Sequence, residues 1–163
     1  MLYFAYGSNL SSRRLRARVA SASFVSVASL QGHQLRFHKS SSDGSAKCDA
    51  FDTGDIAHRV IGVVHRIEPL EKPVLDRFEG LGFGYEQRNV VVTGNDGRPH
   101  EVFTYRAIKL DPDRKPYDWY HQHVIVGAEE FALPASYIEQ LRAVETVADP
   151  DPLRHRRELA IYD

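Results

Sequence analysis

Two runs rich in β-branched and aromatic residues, Tyr85 to Thr93 and His100 to Ile108, flank Asn95-Asp96-Gly97. An Asp-Gly step between such runs favours a tight hairpin turn, so this stretch predicts an antiparallel pair. The other elements are placed around it. Leu2 to Tyr6 is a short apolar run ended by Gly7, which predicts a buried first strand rather than a helix. Ser8 or Asn9 can cap a following helix, with Leu10, Leu15 and Val19 at approximate helical spacing. Phe24 to Phe37 predicts one bent strand or two around Gly32, Ser40 to Ser45 a loop, and Arg59 to Ile67 a strand. Leu70, Val74, Phe78 and Leu81 recur at helical spacing behind Pro69, and Gly80, Gly82 and Gly84 end that helix. Trp119 to Phe131 and Ala135 to Val144 read as helices, the second started by Pro134 and followed by Pro150 and Pro152.

That order predicts an α+β chain with a small mixed, barrel-like sheet and peripheral helices, not a regular doubly wound fold. No repeat, linker or low-complexity block divides the sequence, so residues 1–163 are expected to form a single domain. At 163 residues, 42% hydrophobic and 26% charged, the chain is in the globular range and can support a core without staples. Cys48 is the only cysteine, which excludes an internal disulfide framework and a cysteine-rich zinc site. A reducing, cytoplasmic setting is expected, because the N-terminal run also lacks a basic segment and is too short for a signal peptide. Val60 to Val64 is the longest other apolar stretch and cannot span a bilayer. With 21 basic and 22 acidic residues the net charge is −1, so neither nucleic acid nor an anionic membrane is an expected partner. The sequence does not indicate an oligomeric state.

Two places can carry chemistry. Tyr6-Gly7-Ser8-Asn9-Leu10 lies where a strand gives way to a helix, and backbone N–H groups freed there can hold a carboxylate or phosphate. It is neither a phosphate loop nor a nucleophile elbow, since both glycine patterns are missing. Glu79 closes the helix after Pro69 and can project into a cleft as a general base, although on the wheel it lies off the centre of the Leu70–Leu81 stripe. The eight histidines show no ligand spacing, so no metal is expected. Arg13, Arg14, Arg16 and Arg18, and Arg154, Arg156 and Arg157, read as solvated faces, and Cys48 as a passive thiol.

These residues resemble the gamma-glutamylcyclotransferase family, including its plant and bacterial members similar to gamma-glutamylamine cyclotransferase. Tyr3-Phe4-Ala5-Tyr6-Gly7-Ser8-Asn9-Leu10 is similar to the N-terminal signature, and Val60-Ile61-Gly62-Val63-Val64 to the central strand. Leu75-Asp76-Arg77-Phe78-Glu79-Gly80 with Gly84-Tyr85 is similar to the segment bearing the catalytic glutamate, and Gly127 to Pro134 with Tyr137 completes the likeness. The resemblance implies a barrel-like α+β fold of six or seven strands. It also implies cofactor-free cyclisation of a small gamma-glutamyl substrate to 5-oxoproline, with release of an amine or amino acid. Glu79 is then the expected acid and base, and Gly7, Ser8, Asn9 and Leu10 the expected carboxylate and oxyanion donors. Tyr6, Tyr85 and Tyr105 are the expected cavity tyrosines. The leaving group is expected to be decided around Ser40 to Asp55 and Arg106 to Trp119. The competing reading is a non-catalytic module that binds a small acidic metabolite in the same cavity.

Overall fold

The computed structural model describes residues 1–163. Strand β1 (Leu2–Ala5) leads into a 3-10 turn at Ser8–Leu10, and Ser11 then caps helix α1 (Ser12–Arg18) by accepting from the Arg14 N–H at 3.4 Å. The cap is therefore Ser11, not Ser8 or Asn9, whose own residues are taken up by the turn. Gly32, at φ 76°, breaks the next segment into two strands, β2 (Ser23–Gln31) and β3 (His33–Ser40), which enter different sheets. Strand β4 (Ala46–Asp52) pairs with β3, and β5 (Arg59–Arg66) follows. Helix α2 (Lys72–Glu79) precedes the hairpin of β6 (Tyr85–Gly94) and β7 (Pro99–Ala107), whose turn places Gly97 at φ 77°. Helices α3 (Asp118–Glu130), α4 (Ala135–Arg142) and α5 (Pro152–Leu159) complete the chain.

Five strands close into a barrel in the order β1-β5-β2-β6-β7, and β3-β4 forms a separate two-stranded sheet. The barrel is mixed: β1 runs antiparallel to β5 but parallel to β7, where Tyr3 pairs with Phe103. Because β1 is buried on both sides, its sequence is a continuous apolar run, not an alternating one. Phe4 joins the larger core with Val27, Val63 and Val124, while Tyr3 and Ala5 face a second core with Leu15, Val19, Leu75 and Phe103.

The second core corrects the wheel drawn from sequence. Leu70 is 92% exposed and Phe78 56%, whereas Leu75 is fully buried. Burial of that one leucine is worth roughly 1.5–3 kcal/mol and sets the rotation of α2. Glu79 lies four residues beyond Leu75, on the same face, so it points inward with its side chain 15% exposed. Gly80 then stops α2 in a left-handed conformation, φ 65°.

Helix α3 lies directly against the 3-10 turn. A Cβ at Gly127 would sit 2.3 Å from the carbonyl carbon of Leu10 and from the backbone nitrogen of Ser11. Only glycine permits that approach. No helix is long and apolar enough to cross a membrane.

Candidate active site

At the end of β1 the chain must turn sharply, and the turn consumes some of its own donors. The Leu10 N–H donates to the Gly7 carbonyl at 2.9 Å and the Ser11 N–H to Ser8 at 3.3 Å. Leu10 is fully buried in the larger core. Its N–H is thus already engaged, and Leu10 does not line the cleft described below. The N–H groups of Gly7, Ser8 and Asn9, in contrast, have no acceptor within the protein. Such consecutive free donors are suited to an anion.

The turn and α2 meet through Asn9 and Glu79. The Asn9 amide donates to Glu79 Oε1 at 2.8 Å and to the Tyr3 hydroxyl at 3.1 Å, while its Oδ1 accepts from Arg18 at 2.9 Å. Arg18 also reaches Glu79 Oε1, at 3.4 Å. Every contact falls on Oε1, and Oε2 has no protein partner. The carboxylate is thus oriented by one oxygen and open at the other.

Glu79 shares a cleft with Tyr3, Tyr6, Gly7, Ser8, Asn9, Cys48, Tyr85, Tyr105 and Tyr120, which line about 280 Å³ of empty space, part of it open to solvent. Of the residues expected at the site, all but Leu10 line it. The three expected tyrosines have their hydroxyls engaged. Tyr6 donates to the Tyr105 carbonyl, Tyr85 to the Cys48 carbonyl at 2.7 Å, and Tyr105 to Asp76 at 2.6 Å. They form walls of the cleft. Burial holds the Tyr3, Tyr6 and Tyr85 hydroxyls well above the ordinary phenol value, with Glu79 adding to the effect. Burial also pushes the Cys48 thiol up to about 12, so it stays protonated at neutral pH.

Sequence reasoning missed Tyr3, Arg18 and Tyr120. Arg14 and Arg18 are not solvated: their side chains are 11% and 14% exposed. Burial lowers the Arg18 value, with Arg14 adding to it and Glu79 opposing. Their spacing of four, beside the buried Leu15, was the available signal. Arg14 donates to Ser8 Oγ at 3.2 Å, to Glu158 at 2.7 Å and to His123 Nε2 at 2.9 Å. His123 Nδ1 contacts the Tyr162 hydroxyl at 2.7 Å, which in turn donates to Ser11 Oγ at 2.9 Å. This network ties helix α5, through Glu158, and the 3-10 turn Ala160–Tyr162, through Tyr162, to the back of the Ser8–Leu10 turn. No group of three or more His, Cys, Asp and Glu side chains comes together as a metal site.

The model of the AIG2-like family matches residues 59–141. Human gamma-glutamylcyclotransferase is 34% identical over 152 residues, covering 88% of this chain and 78% of that protein. The Bos taurus gamma-glutamylcyclotransferase is 32% identical over 159 residues with the same coverage. A solved structure titled gamma-glutamyl cyclotransferase superposes with a TM-score of 0.84 at 31% identity, covering 92% of this chain and 90% of that one. A glutathione-specific yeast relative, at 14% identity and a TM-score of 0.55, shares the fold alone. The chain belongs to the gamma-glutamylcyclotransferase family, within the AIG2-like group. The seven strands, five of them in the barrel, agree with the architecture expected from that resemblance.

Proposed function

We propose that the protein converts a gamma-glutamyl amino acid or gamma-glutamylamine to 5-oxoproline and a free amine, with Glu79 as acid and base. The observation that carries this reading is the carboxylate held by Asn9 at Oε1 and unpartnered at Oε2, beside three free backbone N–H groups. Glu79 takes a proton from the substrate's α-ammonium, and the freed amine attacks the γ-carbonyl carbon. The N–H groups of Gly7, Ser8 and Asn9 hold the α-carboxylate and the developing oxyanion, in a frame that needs no reorganisation. Collapse breaks the amide C–N bond. Both protons lost by the α-nitrogen end on the leaving nitrogen, so the carboxylate is regenerated, no water is consumed and no cofactor is called for. Folding the substrate for ring closure supplies an effective concentration of about 10⁵ M or more.

The test is mass-spectrometric detection of 5-oxoproline across a gamma-glutamyl panel, with Glu79→Gln alongside. A positioned acid and base contributes about 10²–10⁴ in rate, so the variant should lose that much while still binding substrate. A variant turning over at near the wild-type rate would remove Glu79 from the mechanism. Tight binding without turnover in the unaltered protein would turn the reading into that of a binding module.

A further inference from the structure

Glu79 also borders a second cleft, which shares no other lining residue with the first. Its lining includes Lys39, Arg77, Gly84, Lys109 and Arg114, around about 1090 Å³ of empty space, part of it open to solvent. Glu79 is the only acid in that lining, against four cations. The backbone brings two of them together from distant sequence. The end of β3 pairs with the chain after β7, the Ser40 N–H donating to the Lys109 carbonyl at 2.8 Å and Lys39 bridging Leu110. Arg114 is partly neutralised by Asp111 at 3.1 Å and also holds the Ser41 carbonyl at 2.8 Å. Lys39, Arg77 and Lys109 take part in no ion pair within 4.0 Å. The ammonium of Lys39 lies 5.0 Å from the centre of the Tyr85 ring, at the border between the two clefts. A Cβ at Gly84 would sit 2.6–2.7 Å from the end of that side chain, so the glycine is what gives the ammonium its place. Burial lowers the Lys39 value, while Glu79 and Asp43 raise it, so its charge has only distant compensation.

We propose that this second cleft is the leaving-group subsite and that its unpaired cations Lys39, Arg77 and Lys109 select a leaving amino acid carrying a second carboxylate, such as glutamate or aspartate. The proposal rests on the cyclisation assigned above. In that reaction the α-carboxylate of the gamma-glutamyl unit occupies the turn, and the scissile amide must lie against Glu79. The leaving group then extends into the next space that Glu79 borders. One carboxylate there neutralises one cation of three, and a second finds a partner already waiting. A bare amine leaves all three unpaired, so the cleft discriminates against it.

The discriminating pair is gamma-glutamyl-glutamate and gamma-glutamyl-glutamine, which are nearly isosteric and differ by one charge. The expected kcat/KM ratio is roughly five- to tenfold in favour of the acid, the scale of one or two partly solvated charge contacts. The ratio should shrink when ionic strength rises from about 0.05 to 0.5 M. In the double variant Arg77→Ala, Lys109→Ala, which removes two side chains that make no hydrogen bond or ion pair within the protein, it should fall toward one. Calorimetric binding of the same pair to the Glu79→Gln protein provides a readout that needs no turnover. A ratio at or below one in the unaltered protein, by rate and by binding, overturns the subsite. A binding preference without turnover keeps the subsite and instead removes the reaction assigned to Glu79.

Discussion

Gly127→Ala tests whether the site is held in place by helix packing. The new methyl would lie 2.3 Å from backbone atoms of Leu10 and Ser11, where ordinary contact begins at 3.4 Å. Neither atom belongs to a flexible side chain, so α3 and the 3-10 turn must separate by about 1 Å. Two effects oppose each other. Alanine favours an interior helical position over glycine by about 0.5–1 kcal/mol, while forcing a methyl into a packed contact costs about 1–3 kcal/mol. The clash should win, by about 0–2.5 kcal/mol. At about 2–4 °C per kcal/mol for a chain of this size, Tm falls by up to about 10 °C. The larger effect is on turnover. The turn carries the Gly7, Ser8 and Asn9 donors, and a displacement of about 1 Å at reacting groups costs on the order of 10² in rate. Thermal unfolding and 5-oxoproline formation would be followed together, with the exposed Gln122→Ala on the same helix as control. A variant matching wild type in both would refute the argument. A lowered Tm with an intact rate would show that the turn does not depend on α3 for its catalytic position.

Asn9→Ala removes the bond that orients Glu79 Oε1 and leaves only the 3.4 Å contact from Arg18. Turnover should fall by about 10-fold or more, with Tm lowered by about 2–10 °C because the buried Tyr3 hydroxyl and Arg18 lose a partner, and a rate within twofold of wild type would show that Asn9 does not position the base. His123 is pushed down to about 2 by burial first and then by Arg14, against about 6.5 in an unfolded chain. Its contribution to stability is therefore complete above about pH 6.5 and is lost as pH falls below that value, because the unfolded chain takes up a proton that the folded one refuses. Urea unfolding at pH 7 and 5 should show wild type losing up to about 2 kcal/mol more than His123→Gln. Equal losses in the two proteins would mean that the imidazole accepts its proton while folded. His65, held near 4 by burial, contributes its own loss to both.

Local rules were enough for much of this chain. The hairpin between Tyr85 and Ala107 was legible because its turn and its strands lie together in sequence, as was β5, whose apolar run fits a strand buried on both faces. Strand β4 has only a weak signal in the sequence, since Ala46, Cys48 and Ala50 form its buried face and small residues give a faint alternation. Helix α5 does carry a local start signal in Asp151-Pro152, the Asp151 side chain accepting from the Leu153 and Arg154 N–H groups. By motif, the Tyr6 to Asn9 turn and Glu79 were also available from the sequence.

What the sequence could not supply was orientation. The rotation of α2 depends on Leu75 docking against Leu15 and Val19, distant in sequence, while the exposed Leu70 and Phe78 drew a false stripe. The burial of Arg18 and its contact with Glu79, 61 residues away, follow from that docking. The pairing of Lys39 with the segment after β7, which gathers the basic cleft, is a separate contact between segments distant in sequence. Periodicity reports which residues can share a face, because it depends only on the local backbone. Which face is buried, and which distant charge it meets, is decided by packing across the whole chain.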